Sequence, residues 1–212
     1  MVRRGEYLER AVVIPGDPPL EGLFHRGARR PAVLVAPPHP ERGGGMEGPV
    51  VAELAWALTR AGHATLRFSY PGLGASGGRF GPEAAREARD RALQHLAASV
   101  GHGALVGVGV GMGGALLIEA AAAGALEAVI WVRPDPDEPL PDPGALRAEV
   151  TAVVPAGEDP TWRSAVRAWA EAAPRGAYRV VPHADPAFLR GLVTLGQVVA
   201  EVLVPPGQIE LD

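Results

Sequence analysis

Residues 104–115 read A-L-V-G-V-G-V-G-M-G-G-A, and this stretch decides the fold. Leu105 to Val110 is apolar and β-branched, the composition of a strand covered on both faces of a parallel sheet. Gly111 to Gly114 predicts a tight turn, and Ala115 to Ala123 a helix of small residues. Glycines alternating along the strand leave one of its faces bare, which lets a helix pack close against it. The same alternation argues against a membrane span across residues 104–126, although Glu119 is the one charged residue there. Each glycine would cost a helix interior about 1 kcal/mol relative to alanine.

Outward from this stretch, strand and helix patterns alternate in both directions. Leu8–Ile14 and Leu20–His25 read as a strand pair joined by P-G-D-P-P, and Ala32–Ala36 as a third strand that ends at Pro37-Pro38. Gly48–Ala61 fits an amphipathic helix stopped by Gly62; Thr65–Tyr70 reads as a strand and Pro82–Ser99 as a long helix. Beyond the central stretch come a strand at Ala128–Val132, a helical turn at Leu146–Glu149 and a strand at Thr151–Pro155. A helix at Thr161–Ala173, a strand at Ala177–Val181 and a closing helix from Pro186 to Leu203 complete the chain. Residues 133–143, R-P-D-P-D-E-P-L-P-D-P, have the composition of a stiff solvated loop. No repeat or linker divides the chain, so residues 1–212 are expected to form one α/β domain. Its sheet is expected to hold about eight mostly parallel strands between two helical layers, with the strand pair 8–25 at one edge.

Composition narrows the function classes. A net charge of −4 disfavours nucleic acid or an anionic membrane as partner. With no cysteine, disulfides, thiol catalysis and thiolate metal sites are excluded. No apolar run follows the arginines of M-V-R-R-G-E-Y-L-E-R, so the N-terminus does not read as a signal peptide, and a cytoplasmic protein is expected. His25, His39, His63, His95, His102 and His183 are scattered without metal-ligand spacing; neither metal nor cofactor is expected. Every basic residue is arginine and asparagine is absent, a bias that fits a GC-rich genome or a thermophile.

Four motifs, in this order, resemble those of small cap-less α/β-hydrolases of the dienelactone-hydrolase-like group. P-P-H-P-E-R-G-G-G at 37–45 resembles the loop that supplies an oxyanion-hole amide, and L-R-F-S-Y-P-G-L-G-A-S-G-G at 66–78 the strand and loop that follow. G-V-G-M-G-G at 109–114 stands where the group has a nucleophile elbow of the form G-x-S-M-G-G. A-G-E-D-P at 156–160 and V-P-H-A-D-P-A-F at 181–188 stand where it carries the acid and the histidine.

The resemblance implies an oxyanion-type loop at His39 and Pro40, with Met112 beside the nucleophile position. That position falls on Gly111, the acid position on Pro160 with Asp159 beside it, and the histidine position on Pro186. Glycine has no hydroxyl and proline no base, while a serine hydrolase needs a nucleophile, a base and a group that orients the base. The resemblance therefore implies the fold of a serine hydrolase without its triad.

Three function classes follow. The first is a non-catalytic hydrolase-like protein that binds a protein partner, forms a homo-oligomer or takes a small ligand; Gly111–Gly114, at a helix start, would suit a small anion. The second is a weak esterase or thioesterase that uses Ser76 of G-A-S-G-G, or a water held by His183 beside Asp185. Ser76, however, is followed by the five residues 77–81 before any helix, whereas a nucleophile elbow enters its helix directly. The third is a nucleotide-binding protein: Gly109, Gly111 and Gly114 satisfy G-x-G-x-x-G, and Asp135 could meet a ribose.

Overall fold

The computed structural model describes residues 9–101 and 103–203. Leu8, His102 and the N-terminal stretch read above through residue 8 lie outside the described residues. One eight-stranded sheet runs through the molecule. Its strands are β1 (Arg10–Ile14), β2 (Leu20–His25), β3 (Arg29–Ala36), β4 (His63–Phe68), β5 (Leu105–Val110), β6 (Ala128–Val132), β7 (Glu149–Pro155) and β8 (Gly176–Val181). The order across the sheet is β1-β2-β4-β3-β5-β6-β7-β8. Only β2 runs against its neighbours, pairing antiparallel with both β1 and β4; the other pairings are parallel. The expected mostly parallel α/β sheet is thus the observed one.

Helices α1 (Pro49–Arg60) and α5 (Leu192–Leu203) cover one face, packed against each other. Helices α2 (Pro82–Val100), α3 (Met112–Ala122) and α4 (Pro160–Ala172) cover the other. Strand β3 explains the layering at residue level. Leu34 and Ala36 join the core under α2 and α3, Val33 and Val35 join the core under α1 and α5, and all four are buried. Strand β5 does the same with a different alphabet. Val108 and Val110 face α1 and α5, while a Cβ on Gly107 would meet Leu117 of α3 at 2.9 Å and one on Gly109 the Gly114 nitrogen at 2.3 Å.

Several boundaries differ from those the sequence predicts. Helix α3 begins at Met112, so the turn is Gly111 alone rather than Gly111–Gly114. Gly113 and Gly114 lie inside the helix, where nothing larger fits: a Cβ would lie 2.5 Å from the Ala36 carbonyl oxygen or 1.8 Å from the Trp131 ring. No helical turn forms at Leu146–Glu149. A 3-10 turn at Pro143–Ala145, capped by Asp142, comes earlier, and Glu149 pairs with Ala128 in the sheet. The closing helix starts at Leu192 rather than Pro186, because residues 185–191 form a compact loop. There the Asp185 carboxylate accepts hydrogen bonds from the N–H groups of Ala187, Leu189 and Arg190. Residues 133–143 are not a purely solvated loop either. Pro134 and Asp135 are buried, and Trp162 and Trp169 of α4 donate to the carbonyls of Pro134 and Pro141. Among the described residues no helix is long and apolar enough to cross a membrane.

Candidate functional site

Gly111 joins β5 to α3 at φ +50° and ψ −121°, a conformation that residues with a side chain rarely adopt. Hydrogen bonds on both of its backbone polar groups hold it there. Its N–H donates to the Val132 carbonyl at 3.0 Å, its carbonyl accepts from Trp131 Nε1 at 2.8 Å, and Gly114 N–H donates to the same carbonyl at 3.0 Å. On the outer side the turn is open. A Cβ built on Gly111 would find Pro38 Cβ at 3.7 Å and the Arg133 carbonyl at 4.0 Å, with nothing closer. Here the carboxyl ends of the parallel strands frame a cavity of about 560 Å³, with Pro38, Val50, Gly111, Pro186 and Phe188 in its walls.

The loop after β3 is pinned from below. Tyr70, fully buried, donates its hydroxyl to the Pro37 carbonyl at 3.0 Å, and burial pushes its phenol well above the ordinary range. His39 caps the 3-10 turn Pro40–Arg42: its Nδ1 accepts from Glu41 N–H at 3.2 Å, and its ring stands edge-on to Phe80. Pro40 faces a separate hollow, between this loop and Leu73, while Arg42 and Gly43 reach the Gly111 cavity. Met112 is the first residue of α3 and packs against the core under α2 and α3.

Of the remaining sequence candidates, Pro186 and Asp135 share the cavity with Gly111, whereas Asp159, Pro160, Asp185, His183 and Ser76 do not line it. Asp159 caps α4, accepting from Trp162 N–H at 2.9 Å, and Pro160 is that helix's exposed first residue. Pro186 stands in the cavity wall. Asp185 is taken up by its own loop. Desolvation pushes its carboxyl up, but the three N–H bonds outweigh this and hold it below the usual carboxylate range. His183 is exposed at φ +58° and does not line the cavity. The Ser76 hydroxyl is buried: it accepts from Glu21 N–H at 2.9 Å and donates to the Ser69 carbonyl at 2.8 Å. The first bond ties β2 to the loop after β4, and the second closes that loop on itself. Two of the three glycines of G-x-G-x-x-G face protein, since Gly109 abuts the α3 backbone and Gly114 the Trp131 ring. No group of three or more metal-ligating side chains occurs among the described residues.

The structure also assembles three ion pairs near this cavity that sequence reasoning missed. Arg42 pairs with Asp135 through both carboxylate oxygens and with Asp137 at 2.8 Å, which ties the loop after β3 to the loop after β6. Arg133 Nε donates to Glu158 at 2.6 Å. Glu138 lies close by; desolvation first, and the charge of Asp135 second, push its carboxyl above the usual range. Charged residues thus rim the cavity, and each arginine in the rim is neutralised by a carboxylate. The sole sequence signal was Arg and Asp inside two Pro/Gly-rich loops, and nothing local pairs residues 93 apart.

No protein-family model and no curated protein sequence matches the chain. Solved structures do. An alpha-beta serine hydrolase homologue from Coxiella burnetii superposes with a TM-score of 0.80 at 21% identity, covering 92% of this chain and 97% of that one. A serine hydrolase without lid from Xanthomonas campestris gives 0.77 at 21%, covering 92% and 94%. A dienelactone hydrolase from Anabaena variabilis gives 0.75 at 22%, covering 92% and 95%. At these identities the likeness establishes the fold, which is the α/β-hydrolase fold.

Proposed function

We propose that this α/β-hydrolase fold serves as a binding protein rather than a serine hydrolase, with the cavity at Gly111 as its ligand site. The observation that carries the reading is the tip of the turn. Its backbone keeps the strained geometry that presents a nucleophile, yet residue 111 has no side chain and Pro186 stands in the wall with no base to offer. Without hydroxyl and base, acyl transfer has no first step. What is left is a concave, mostly apolar hollow of about 560 Å³, within the usual size of a small-molecule site.

Ser76 does not supply a substitute nucleophile in this reading, because both its donor and its acceptor capacity are spent on backbone. The expected result with a fluorophosphonate probe and a panel of short-chain esters and thioesters is no labelling and no hydrolysis above background. Saturable labelling of any serine would overturn the reading in favour of an esterase.

A protein partner is a second use of the same edge, favoured by Leu189, 87% exposed at the cavity rim. Light scattering checks the homo-oligomeric version: a mass that stays monomeric at every concentration removes it.

A further inference from the structure

The Gly111 cavity is bounded on one side by Pro49 and Leu192, and both residues also wall a second cavity of about 500 Å³. Along α1, residues Pro49, Ala52, Glu53 and Trp56 follow at helical spacing and all line that second cavity. Facing them at the start of α5 are Leu192 and Val193, with Leu189 just before. Trp56, Leu189 and Val193 are 44%, 87% and 60% exposed, large apolar residues left open along one continuous path. Isolated exposed apolar residues need no explanation, whereas a contiguous run of them marks a binding surface.

We propose that one ligand spans both cavities: a single-chain acyl amphiphile with an uncharged polar head. Its head sits at Gly111 and its chain crosses Pro49 and Leu192 to lie against Trp56. This rests on the ligand-binding reading above and names the class of ligand. The electrostatics set the head. Arg42 is already neutralised by Asp135 and Asp137, and Arg133 by Glu158, so an anionic head would meet no uncompensated positive charge and a cationic one would face a guanidinium. A neutral carbonyl or hydroxyl needs only a donor, and Arg133 commits Nε alone to Glu158, keeping the N–H groups of its two Nη atoms.

The second cavity suits the chain because its polar groups are turned on one another. Arg67 donates to Glu9 and to the Met46 carbonyl, and also pairs with Glu47. The Thr59 hydroxyl is shared with Thr65. Burial favours the uncharged forms of the other two titratable groups there, pushing the Glu53 carboxyl up and the His25 imidazole down.

The test is calorimetry with monoacylglycerols whose chains run from butanoyl to dodecanoyl, kept below micelle formation. Affinity should rise by roughly three- to fourfold per added methylene once the chain passes Pro49. Emission from Trp56 should shift to the blue with the longer chains only, and Trp56→Phe should abolish the shift. Ala52→Phe, which fills the second cavity, should remove the long-chain gain and leave butanoyl affinity unchanged. Val193→Asp, at an exposed position that folding tolerates, should do the same by placing a charge in the path. If butanoyl binds but longer chains bind no better, and neither variant matters, the spanning ligand is wrong while the Gly111 site stands. If no chain length binds, the ligand-binding reading falls with it. Concentration-dependent association that either variant abolishes makes a second copy the occupant, and overturns the proposal.

Discussion

Three of the four glycines at 109–114 carry two different burdens, and substitution separates them. Alanine at Gly109 would put its Cβ 2.3 Å from the Gly114 nitrogen, and alanine at Gly114 would put its Cβ 1.8 Å from the Trp131 ring. Backbone and a buried indole cannot give way cheaply, so either variant should lose about 2 kcal/mol or more in urea unfolding. Gly111 is the opposite case. Space for a side chain is open, and Gly111→Ser should cost only the backbone strain, about 1–3 kcal/mol. That variant should still fail to react with a fluorophosphonate, since Pro186 and the committed Asp185 offer no base; rapid labelling would show a base that the cavity walls do not reveal. At this scale the sequence was informative where a residue's type fixes its backbone, as with Gly111 at its positive φ. It was silent on Arg42 and Asp135, whose meaning depends on two loops meeting across the sheet edge.

Elements were legible where an apolar pattern is long and blurred where a side chain reorganises the backbone. The V-G-V-G-V pattern of β5 marked a strand with one bare face, and α3 fills it. The start of α5 was missed because a single carboxylate, Asp185, binds three N–H groups of the following residues and holds them out of the helix. The loop carrying Ser76 was legible only as a motif; its work, tying β2 to the chain after β4, required the structure. Ser76→Ala would leave Glu21 N–H without its partner and take the donor from the Ser69 carbonyl. We expect a loss of about 1–3 kcal/mol in stability with no change in ligand affinity. A variant that keeps its stability but loses an activity would return Ser76 to the list of nucleophiles.

Across the whole molecule the two faces are unequal. Among the described residues, the core under α2, α3 and α4 gathers 30 buried apolar residues, and that under α1 and α5 gathers 16. Local opening draws on the weaker side. Amide exchange should therefore be at least about tenfold faster in α5 than in α3, and equal protection would show that core size does not govern opening here. Acid should loosen the fold for a separate reason. His63 is fully buried and donates from Nδ1 to the Pro31 carbonyl at 2.8 Å; desolvation lowers its pKa, with the hydrogen bond only partly offsetting this. The unfolded chain, titrating near 6.5, then binds more protons than the folded one. Stability is full above that value and is lost as pH falls below it, until the folded pKa is passed. The slope is up to about 1.4 kcal/mol per pH unit for this histidine, with His25 and His95 shifted the same way. His63→Gln keeps a donor for Pro31 and should flatten the slope in unfolding titrations.

Trp131 links the scales. Its Nε1–H holds the Gly111 carbonyl, its ring occupies the place a Gly114 side chain would take, and Trp169 stands edge-on to it at 5.3 Å and 85°. The peptide at the mouth of the cavity is therefore coupled to a pair of interacting chromophores beneath the sheet. Their near-ultraviolet circular dichroism becomes an internal gauge: a ligand or substitution that tilts the peptide at residue 111 must turn the indole that grips it.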